Sequence, residues 1–466
     1  MPHIHIHAPF EAGFDRIRRR FDIPERFPVE VTAEAERSVP TTDDSADLRD
    51  VPFIAIDPPG ATDLDQAFWA ERIATGFRVR YAIADPAVFI RPGGAVDREA
   101  RSRAVTMYSP DLRTPLHPVT ISEDRGSLLP GSDRPAVVWT LDLDEEGKPS
   151  GVDFRRALVR VEEAISYREA QTRVDLGSDL RLTLLAQIGQ ARIEREIERG
   201  GVSLALPTQQ VSASEGRYVV QFDQILEVER WNAQISLLTG MVAAEIMIDA
   251  GVGIVRTLPP PTPEAIALLR RHASALRLDW PSAMTYPAFV RAAEPGSPGG
   301  AAFLYQAART LRGAGYEVLP AGVETPVHGA IAAPYAHVTA PLRRLVDRFA
   351  NEILLAVVAG TPPPDWAVEA LAELPDIMAT AHQRQNTLDR AMVDFTEAVV
   401  LGPHVGEVFD AEVVDLRNGG EEAVITLDDH AVVAVVAHPG LELGRAVRLR
   451  LVASDPETGL ITFEPA

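Results

Sequence analysis

Three aspartates within a nine-residue stretch are the residues most able to do chemistry in this sequence. Asp57 follows the apolar run 53–56, and Asp63 and Asp65 come after the Pro-Pro-Gly turn at 58–60. Side chains two apart in an extended segment point the same way, so Asp63 and Asp65 would share one side. Crowded carboxylates repel unless a cation lies between them, and magnesium prefers such oxygen ligands. The spacing therefore predicts a divalent-cation site.

A solvated acidic loop is the alternative interpretation of the same stretch. Charged residues lie mostly on protein surfaces, so a short aspartate-rich loop needs no bound ion. An EF-hand is excluded, because the alternating Asp/Asn ligands, the glycine and the closing glutamate of that loop are absent. The spacing alone leaves both interpretations open, and the rest of the chain has to decide between them.

The elements that would position these acids belong to a chain with the composition of a folded protein. It has 466 residues, of which 46% are apolar and 24% charged, which predicts two or three domains. The apolar stretches are too short, or too interrupted by acids, to span a bilayer, and no secretory leader is visible. The absence of cysteine excludes disulfides and thiolate zinc sites. We expect a cytoplasmic protein with no membrane association.

The charge balance limits how the chain could bind a polyanion. The formal net charge is −22, which disfavours nucleic acid on average, although a groove needs only a local positive lining. Lys148 is the single lysine, so 44 of the 45 basic residues are arginines, which can hold a phosphate bidentately. Genome composition explains that arginine usage equally well.

The chain divides into three segments by its residue patterns. We expect residues 1–50 to form a short, proline-broken N-terminal extension that is too short for an independent barrel. Residues 51–400 combine alternating strands with helices, one of which is predicted over 180–199 and ends at a Gly-Gly pair. Residues 401–466 contain about five short strands, the number in an OB-type barrel. We expect an α+β protein, with a mixed sheet flanked by helices followed by an all-β barrel.

A basic motif late in the helical region could bind phosphate. Thr339 and Pro341 are predicted to lie near the N-cap and first position of a helix, whose free N–H groups would then face a cleft. Arg343 and Arg344 would lie beside them. Alternatively, Arg343 forms an ordinary surface ion pair with Asp347, four residues on.

Several motifs, in this order along the chain, together resemble the ribonuclease II / ribonuclease R (RNB) family of exoribonucleases. They cover about residues 50–400. Members of that family remove nucleotides one at a time from the 3′ end of single-stranded RNA, releasing nucleoside 5′-monophosphates with magnesium. The matching segments are the Asp57 stretch, Tyr81-Ala82-Ile83-Ala84-Asp85-Pro86, Asp97-Arg98-Glu99-Ala100, Tyr108-Ser109-Pro110, Ser127-Leu128-Leu129-Pro130, Asp133-Arg134, Arg199-Gly200-Gly201 and Tyr335-Ala336-His337-Val338-Thr339-Ala340-Pro341-Leu342-Arg343-Arg344.

The resemblance implies an RNB-type catalytic domain over 51–400, an OB-fold RNA-binding domain over 401–466, and a processive, Mg²⁺-dependent 3′-to-5′ exoribonuclease in which Mn²⁺ can replace Mg²⁺. It also implies roles for individual residues. The metal ligands would be Asp57, Asp63, Asp65 and Gln66. Asp65 and Arg343 would be catalytic, and RNA would contact Tyr108, Thr339, Arg343, Arg344 and Asp389. Tyr108 occupies the position at which the family stacks an aromatic ring on the 3′-terminal base; on sequence alone, a tyrosine at the edge of the core is the alternative.

The chain departs from the family pattern at two places. Gln66 stands where relatives usually have a fourth aspartate, and 235–238 read Ile-Ser-Leu-Leu where relatives have paired glutamates. An amide oxygen brings no charge, so a second cation would bind more weakly there. These departures favour the alternative of a non-catalytic RNA-binding protein on the same scaffold. The acids alone also allow a DNA or nucleotide phosphohydrolase. The expected partner is single-stranded RNA, with no protein partner implied.

Overall fold

The structure is a computed structural model that describes residues 10–41, 45–204, 209–214, 217–222, 225–295, 297, 299–320, 322, 325–427 and 432–466, with backbone alone for 209–214 and 217–222. Helices and strands alternate along most of this length. The helices are α1 (Phe10–Arg20), α2 (Val29–Arg37), α3 (Ala95–Arg103), α4 (Tyr167–Asp175), α5 (Leu180–Arg199), α6 (Glu227–Ala250), α7 (Pro263–Ala275), α8 (Tyr286–Ala292), α9 (Gly300–Ala308), α10 (Leu345–Val358), α11 (Asp365–Ala370) and α12 (Leu374–Leu401).

The strands fall into one barrel, one larger sheet and several two-stranded sheets. They are β1 (Ala46–Ile56), β2 (Gln66–Ile73), β3 (Gly76–Ala84), β4 (Met107–Tyr108), β5 (Arg113–Thr114), β6 (Asp133–Asp144), β7 (Pro149–Ile165), β8 (Gln209–Ser214), β9 (Arg217–Phe222), β10 (Gly253–Thr257), β11 (Gly315–Leu319), β12 (Val408–Arg417), β13 (Glu422–Leu427), β14 (Val433–Val436), β15 (Ala446–Asp455) and β16 (Leu460–Pro465).

The acidic stretch begins at one end of a closed barrel with the strand order β1-β2-β3-β6-β7. Neighbouring strands are antiparallel, except that β1 and β7 close the barrel in parallel. Parallel strands end at the same edge, so Ile56 lies opposite Ile165. The chain leaves the barrel there, and Asp57 is the first residue beyond the edge.

The two faces of the barrel strands carry side chains of different size. Phe68, Tyr81 and Trp139 belong to a buried cluster shared with α5, α6 and α10. Small residues such as Ala67 and Ala82 fill the opposite face in a second cluster. The interior of a five-stranded barrel is narrow, so small side chains suit it, while the large outward ones bury apolar area against the helices.

Helix α6 is the core helix of this layer. Among the described residues it is the one helix long and apolar enough to cross a bilayer, and 56% of its most apolar 18-residue window is buried inside the protein. It packs against α5, α10 and the barrel, and Ile235, Leu238 and Met247 are almost completely covered. Its apolar composition is therefore accounted for by core packing.

The C-terminal segment is a five-stranded antiparallel sheet with the order β14-β13-β12-β15-β16. Its core is built from alternating residues such as Val413, Ile425 and Leu451, and it continues onto the end of α12 through Ala398 and Leu401. The mixed α+β class and the all-β C-terminal unit are confirmed. The sequence predicted a mixed central sheet. In the structure this sheet is closed into a barrel, because its two outer strands, β1 and β7, pair with each other.

Helix α1 docks on α12 through aromatic side chains. Phe14 is fully buried, and its ring centroid lies 5.3 Å from that of Phe395 in an edge-to-face arrangement. Gly13 allows this approach, since a Cβ there would lie 2.0 Å from the Phe395 ring. The contact explains why a polar, proline-broken N-terminal region still contributes an ordered helix.

We expect Phe14→Ala to lower the free energy of unfolding by about 3–5 kcal/mol, because it removes a buried aromatic ring and leaves a cavity. Urea unfolding followed by circular dichroism measures the loss. Val29→Ala is the control, since Val29 is 83% exposed and its truncation should cost less than about 0.5 kcal/mol. Equal unfolding midpoints for the two variants would show that docking of α1 adds nothing to stability.

Candidate active site

The loop 57–65 carries the three aspartates and is fixed at several points. The Asp57 N–H donates to the Ile165 carbonyl oxygen (3.2 Å), which holds the loop to the end of β7. Leu64 is buried, and its N–H donates to Ser127 Oγ (2.9 Å). Since Leu64 points into the core, Asp63 and Asp65 on either side of it lie toward the cleft, as the two-residue spacing predicts.

Asp65 is the most enclosed acid of the three, with 4% of its surface exposed. Its Oδ1 accepts the Leu342 N–H (2.8 Å), and its Oδ2 accepts Arg343 Nε (3.0 Å). Burial raises the pKa of Asp65 to about 7 against the opposing effects of Arg343 and the Leu342 N–H. Arg343 keeps about half of its side chain exposed, and its terminal N–H groups make no hydrogen bond to any described residue. They are free to bind an anion.

The helix predicted to begin near Thr339 begins at Leu345, with Arg344 in the N-cap position. Residues before it form a turn, in which the Ala340 N–H donates to Asp347 Oδ2 (2.8 Å). The prediction was wrong because the N–H groups of this turn bind two buried carboxylates, Asp65 and Asp347, instead of continuing a helix. The motif still aims a backbone N–H and an arginine at the acidic loop.

The ion pairs of Arg343 and Arg344 also differ from the alternative in which Arg343 pairs with Asp347. Asp347 pairs with Arg344, through Nε (2.5 Å) and Nη2 (2.7 Å), and Arg343 pairs with Asp65. Both of these Arg344 donors are taken by a buried carboxylate, and its RNA contact stays a prediction. Arg344 instead stabilises the turn that presents Arg343.

Asp63 lies under a small hairpin formed by β4 and β5. Tyr108 Oη donates to Asp63 Oδ2 (3.0 Å), and the Arg113 guanidinium pairs with Asp63 Oδ1. Arg113 also reaches Glu123 (2.6 Å) and Thr62 Oγ1 (2.7 Å). Tyr108 itself is 42% exposed, so its ring is available at the rim of the cleft while its hydroxyl is fixed.

Gln66 is held by hydrogen bonds at both ends of its amide. Its Nε2 donates to the Thr339 carbonyl oxygen (2.7 Å), and its Oε1 accepts from Tyr81 Oη (2.5 Å). Tyr81 Oη also lies 2.7 Å from Ser236 Oγ. The two places where the chain departs from the family pattern are thus joined in one neutral network. Gln66 Oε1, the oxygen that would ligate an ion, already accepts from Tyr81, and Thr339 next to this network is buried.

Asp57 is the acid left open. It is half-buried, and none of the described residues donates a hydrogen bond to its carboxylate. Burial raises its pKa to about 7, Arg343 opposes the rise, and Asp63 adds to it. Tyr167 lies close enough for Asp57 to contribute, after burial, to raising the tyrosine pKa to about 12. An uncompensated carboxylate near a second one is the condition that a bound cation relieves.

The donor set therefore fits a divalent cation held by Asp57, with Asp63 as a second ligand whose oxygens also accept hydrogen bonds from Arg113 and Tyr108. Across the described residues, no three His, Asp or Glu side chains stand close enough to share an ion, so the expected four-ligand set is not assembled. Asp65 and Gln66 are engaged with Arg343 and Tyr81 instead. Magnesium commonly takes one or two carboxylates and completes its shell with water and substrate phosphate, which this arrangement allows.

The remaining predicted residue lies away from the acids. Asp389 is on α12, is exposed, and makes no hydrogen bond or ion pair with a described residue of the acidic loop. Its neighbour Leu388 packs in the same apolar cluster as Met107, which precedes Tyr108. The RNA contact of Asp389 stays a prediction.

Sequence reasoning missed the group that holds the acids in place. Arg113, Tyr81 and Ser127 all contact the loop 57–66, and the last two fall within motifs that were matched as blocks without roles. A signal was available for Arg113, since a lone arginine five residues after Tyr108 is placed to return on a hairpin. Its partner Asp63 is fifty positions away in the sequence, and spacing cannot show that contact.

Family models match most of the chain. The model described as the RNB domain matches residues 45–360, and the model described as the RNase II-type exonuclease C-terminal S1 domain matches residues 407–466. The first covers the barrel, the acidic loop and the Arg343 turn. The second covers the five-stranded C-terminal sheet.

The chain is similar to known proteins both in sequence and in fold. The chain is 36% identical over 156 residues to Ribonuclease R of Acidithiobacillus ferrooxidans, which is 32% of this chain and 36% of that protein. The chain thus spans little more than a third of that curated relative. The structure of apo Mycoplasma genitalium RNase R has a TM-score of 0.88 at 17% identity, covering 98% of this chain and 78% of that one. Yeast Ssd1, described as a pseudonuclease, has a TM-score of 0.72 at 15% identity, covering 95% and 57%.

Proposed function

Because the chain belongs to the RNB family, we propose that it is a hydrolase that degrades single-stranded RNA from the 3′ end, releasing nucleoside 5′-monophosphates processively with Mg²⁺ or Mn²⁺. The observation that carries the proposal is the arrangement at Asp65. A buried carboxylate fixes the Arg343 guanidinium at its Nε while leaving the terminal N–H groups free, within reach of two further acids. A phosphodiester would meet a cation site on one side and an arginine on the other.

The proposed hydrolysis attaches a water oxygen to phosphorus and breaks the bond to the 3′ oxygen of the penultimate nucleotide. A divalent cation held by Asp57 and Asp63 would activate the water and stabilise the negative charge that develops on phosphorus. Arg343 would bind a non-bridging phosphate oxygen through its free N–H groups. Asp65 would keep that guanidinium and the Leu342 turn in place, which is the positional precision that phosphoryl transfer depends on.

Tyr108 would stack on the 3′-terminal base. Its hydroxyl is fixed by Asp63 and its ring is exposed, so the ring plane is set before RNA arrives. Stacking on an aromatic face does not depend on base identity, which suits a general degrader.

We expect Tyr108→Ala to weaken binding of a short oligoribonucleotide by about 1–3 kcal/mol, the usual contribution of one base stack. Tyr108→Phe is the matched control, because it keeps the ring and removes only the hydroxyl bond to Asp63. Fluorescence anisotropy with labelled pentaadenylate measures both variants. If the alanine and phenylalanine variants bind alike, the ring does not stack on the RNA.

The function is tested by incubating the purified protein and Mg²⁺ with 5′-labelled oligoribonucleotide and with DNA of the same sequence. A 3′-to-5′ exonuclease shortens the labelled strand from its 3′ end, and unlabelled nucleoside 5′-monophosphates accumulate. Processive action leaves full-length and end-product strands with few intermediates. Internal cleavage, or equal cleavage of DNA, would contradict the proposal.

We further propose cytoplasmic residence, consistent with the absence of cysteine.

Non-catalytic RNA binding is the second candidate, and two observations favour it. Arg113 is paired with Asp63, and the fourth acidic position is occupied by Gln66 in a neutral network. The fold is also that of a pseudonuclease. In the same assay, this candidate predicts tight RNA binding with no shortening of the strand in either Mg²⁺ or Mn²⁺.

A further inference from the structure

A cavity of about 540 Å³ opens between α12 and the hairpin formed by β10 and β11. Arg256 of β10 and Tyr316 of β11 line one wall. His382, Asn386 and Arg390 line the other, and their four-residue spacing places them on one face of α12. We call this cavity the arginine pocket. Its volume is in the range of sites that hold small organic ligands.

The lining of the arginine pocket is basic. Among the described residues that line it there is no aspartate or glutamate, in a chain whose net charge is −22. Neither Arg256 nor Arg390 has a carboxylate within ion-pair distance in the described part of the chain. Arg256 is half-buried, and a partly buried guanidinium with no counter-charge costs free energy, which an anion would recover; Arg390 is exposed at the mouth of the pocket.

Arg256 is held in position without being neutralised. Its guanidinium lies over the Tyr316 ring, 4.6 Å from the centroid, and its one side-chain hydrogen bond to a described residue, the Gly315 carbonyl oxygen, is long at 3.4 Å. Burial and then the charge of Arg256 lower the pKa of His382 across the pocket. Arg256 thus lies close enough to disfavour a proton on His382, and a negative group between the two side chains would offset that effect.

The arginine pocket is separate from the acidic site. None of the three aspartates or Arg343 lines it. The segment 335–344 lies between the two: the Arg256 N–H donates to the Tyr335 carbonyl oxygen (2.7 Å), and Tyr316 Oη bonds His337 Nδ1 (2.7 Å). The same segment ends in the turn that presents Arg343. A ligand in the pocket would therefore contact Arg256 and Tyr316, which are hydrogen-bonded to the segment that carries the proposed phosphate clamp.

We propose that the arginine pocket binds the phosphate group of a nucleotide unit, held by Arg256 and Arg390, with Asn386 as a further donor. Arginine forks match phosphate oxygens in geometry, and the Tyr316 ring with the apolar Ala379 offers a surface for a ribose or base. The nucleotide unit has two possible sources. It is either part of a bound RNA strand, which rests on the proposed function, or a free nucleoside monophosphate.

The test compares Arg256→Gln and Arg390→Gln with Arg271→Gln, all in the full chain with Asp65→Asn added to prevent RNA turnover. Arg271 is an exposed arginine of α7 that makes no ion pair within the described residues, so its substitution removes the same charge elsewhere. Binding is measured by anisotropy for oligoadenylates of 4 to 20 nucleotides and by calorimetry for AMP, at several salt concentrations. Melting temperatures check that each variant is folded.

If the phosphate belongs to RNA, the two pocket variants bind the longer oligoadenylates about tenfold more weakly, with the slope of log Kd against log salt reduced by about 1, and AMP binding is unchanged. If a free nucleotide occupies the pocket, AMP binding falls about tenfold in both variants. Affinities and salt slopes equal to those of Arg271→Gln for every probe would overturn the inference. Shortening of labelled RNA by the unsubstituted protein is measured in a separate assay. Failure to cleave RNA can therefore be distinguished from failure of the arginine pocket to bind a nucleotide.

Discussion

Replacing Asp65 by asparagine should lower the rate of RNA hydrolysis by at least about a hundredfold while leaving RNA affinity within about threefold, because asparagine is the same size but lacks the charge that fixes Arg343. The Leu342 N–H can still donate to the amide oxygen, so the turn should persist. The measurement pairs single-turnover cleavage of labelled oligoribonucleotide with anisotropy of the same strand. A loss confined to the rate is the signature of an interaction made in the transition state.

Asp124→Asn is the matched control for this substitution. Asp124 has 62% of its side chain exposed and, within the described part of the chain, only a long, 3.6 Å ion pair to Arg134, so its variant should cleave at the unsubstituted rate. Parallel loss of rate and affinity in Asp65→Asn, with an unchanged melting temperature, would show that Asp65 helps to hold RNA and has no separate part in the reaction.

The second large effect is a dependence on pH. The pKa of Asp57 lies near 7, so only about a tenth of the carboxylate is ionised at pH 6 and most of it at pH 8. The ionised form of Asp57 binds the cation, and Asp65, whose charge fixes Arg343, also has its pKa raised to about 7. We therefore expect kcat/KM at subsaturating Mg²⁺ to rise at least about tenfold from pH 6 to pH 8 and then level off. Mn²⁺ affinity, measured by electron paramagnetic resonance, should tighten over the same interval.

Asp57→Asn provides the control, because its amide does not titrate. Its Mn²⁺ affinity should be weak and flat between pH 6 and pH 8. Stability in EDTA gives an independent readout. The raised pKa means that the folded state keeps a proton that the unfolded chain loses near pH 4, so the contribution of Asp57 to stability falls as pH rises from about 4 to 7. A Mn²⁺ affinity of the unsubstituted chain that is flat with pH would contradict this assignment.

Local signals in the sequence were sufficient for much of the fold. Helix α5 was predicted with its observed bounds, because Gly200 supplies the left-handed residue that ends it (φ 83°). The turn 58–60 and the alternation around Leu64 placed Asp63 and Asp65 on one side, as observed. Each of these features depends on residues close together in the chain, for which pattern and propensity are informative.

Contacts between distant residues account for what was not predicted. The start of α10 depends on where the N–H groups before it find acceptors, and Asp65, which takes one of them, is 277 positions earlier. The pairing of Arg343 with Asp65 spans a similar sequence distance and was therefore not predicted, while Arg344 pairs with the nearby Asp347. Barrel closure by β1 and β7 and the Gln66–Tyr81–Ser236 network are likewise tertiary features. Composition and spacing specify the groups, and only the fold specifies their partners.

The most direct measurement is a crystal structure of the Asp65→Asn variant with Mn²⁺ and a short oligoribonucleotide, with anomalous data collected for manganese. We expect an anomalous peak between the carboxylates of Asp57 and Asp63, the terminal phosphodiester against the Arg343 guanidinium, and the last base on the Tyr108 ring. A manganese peak elsewhere, or an RNA 3′ end bound away from Arg343 with Asp57 open to solvent, would contradict it.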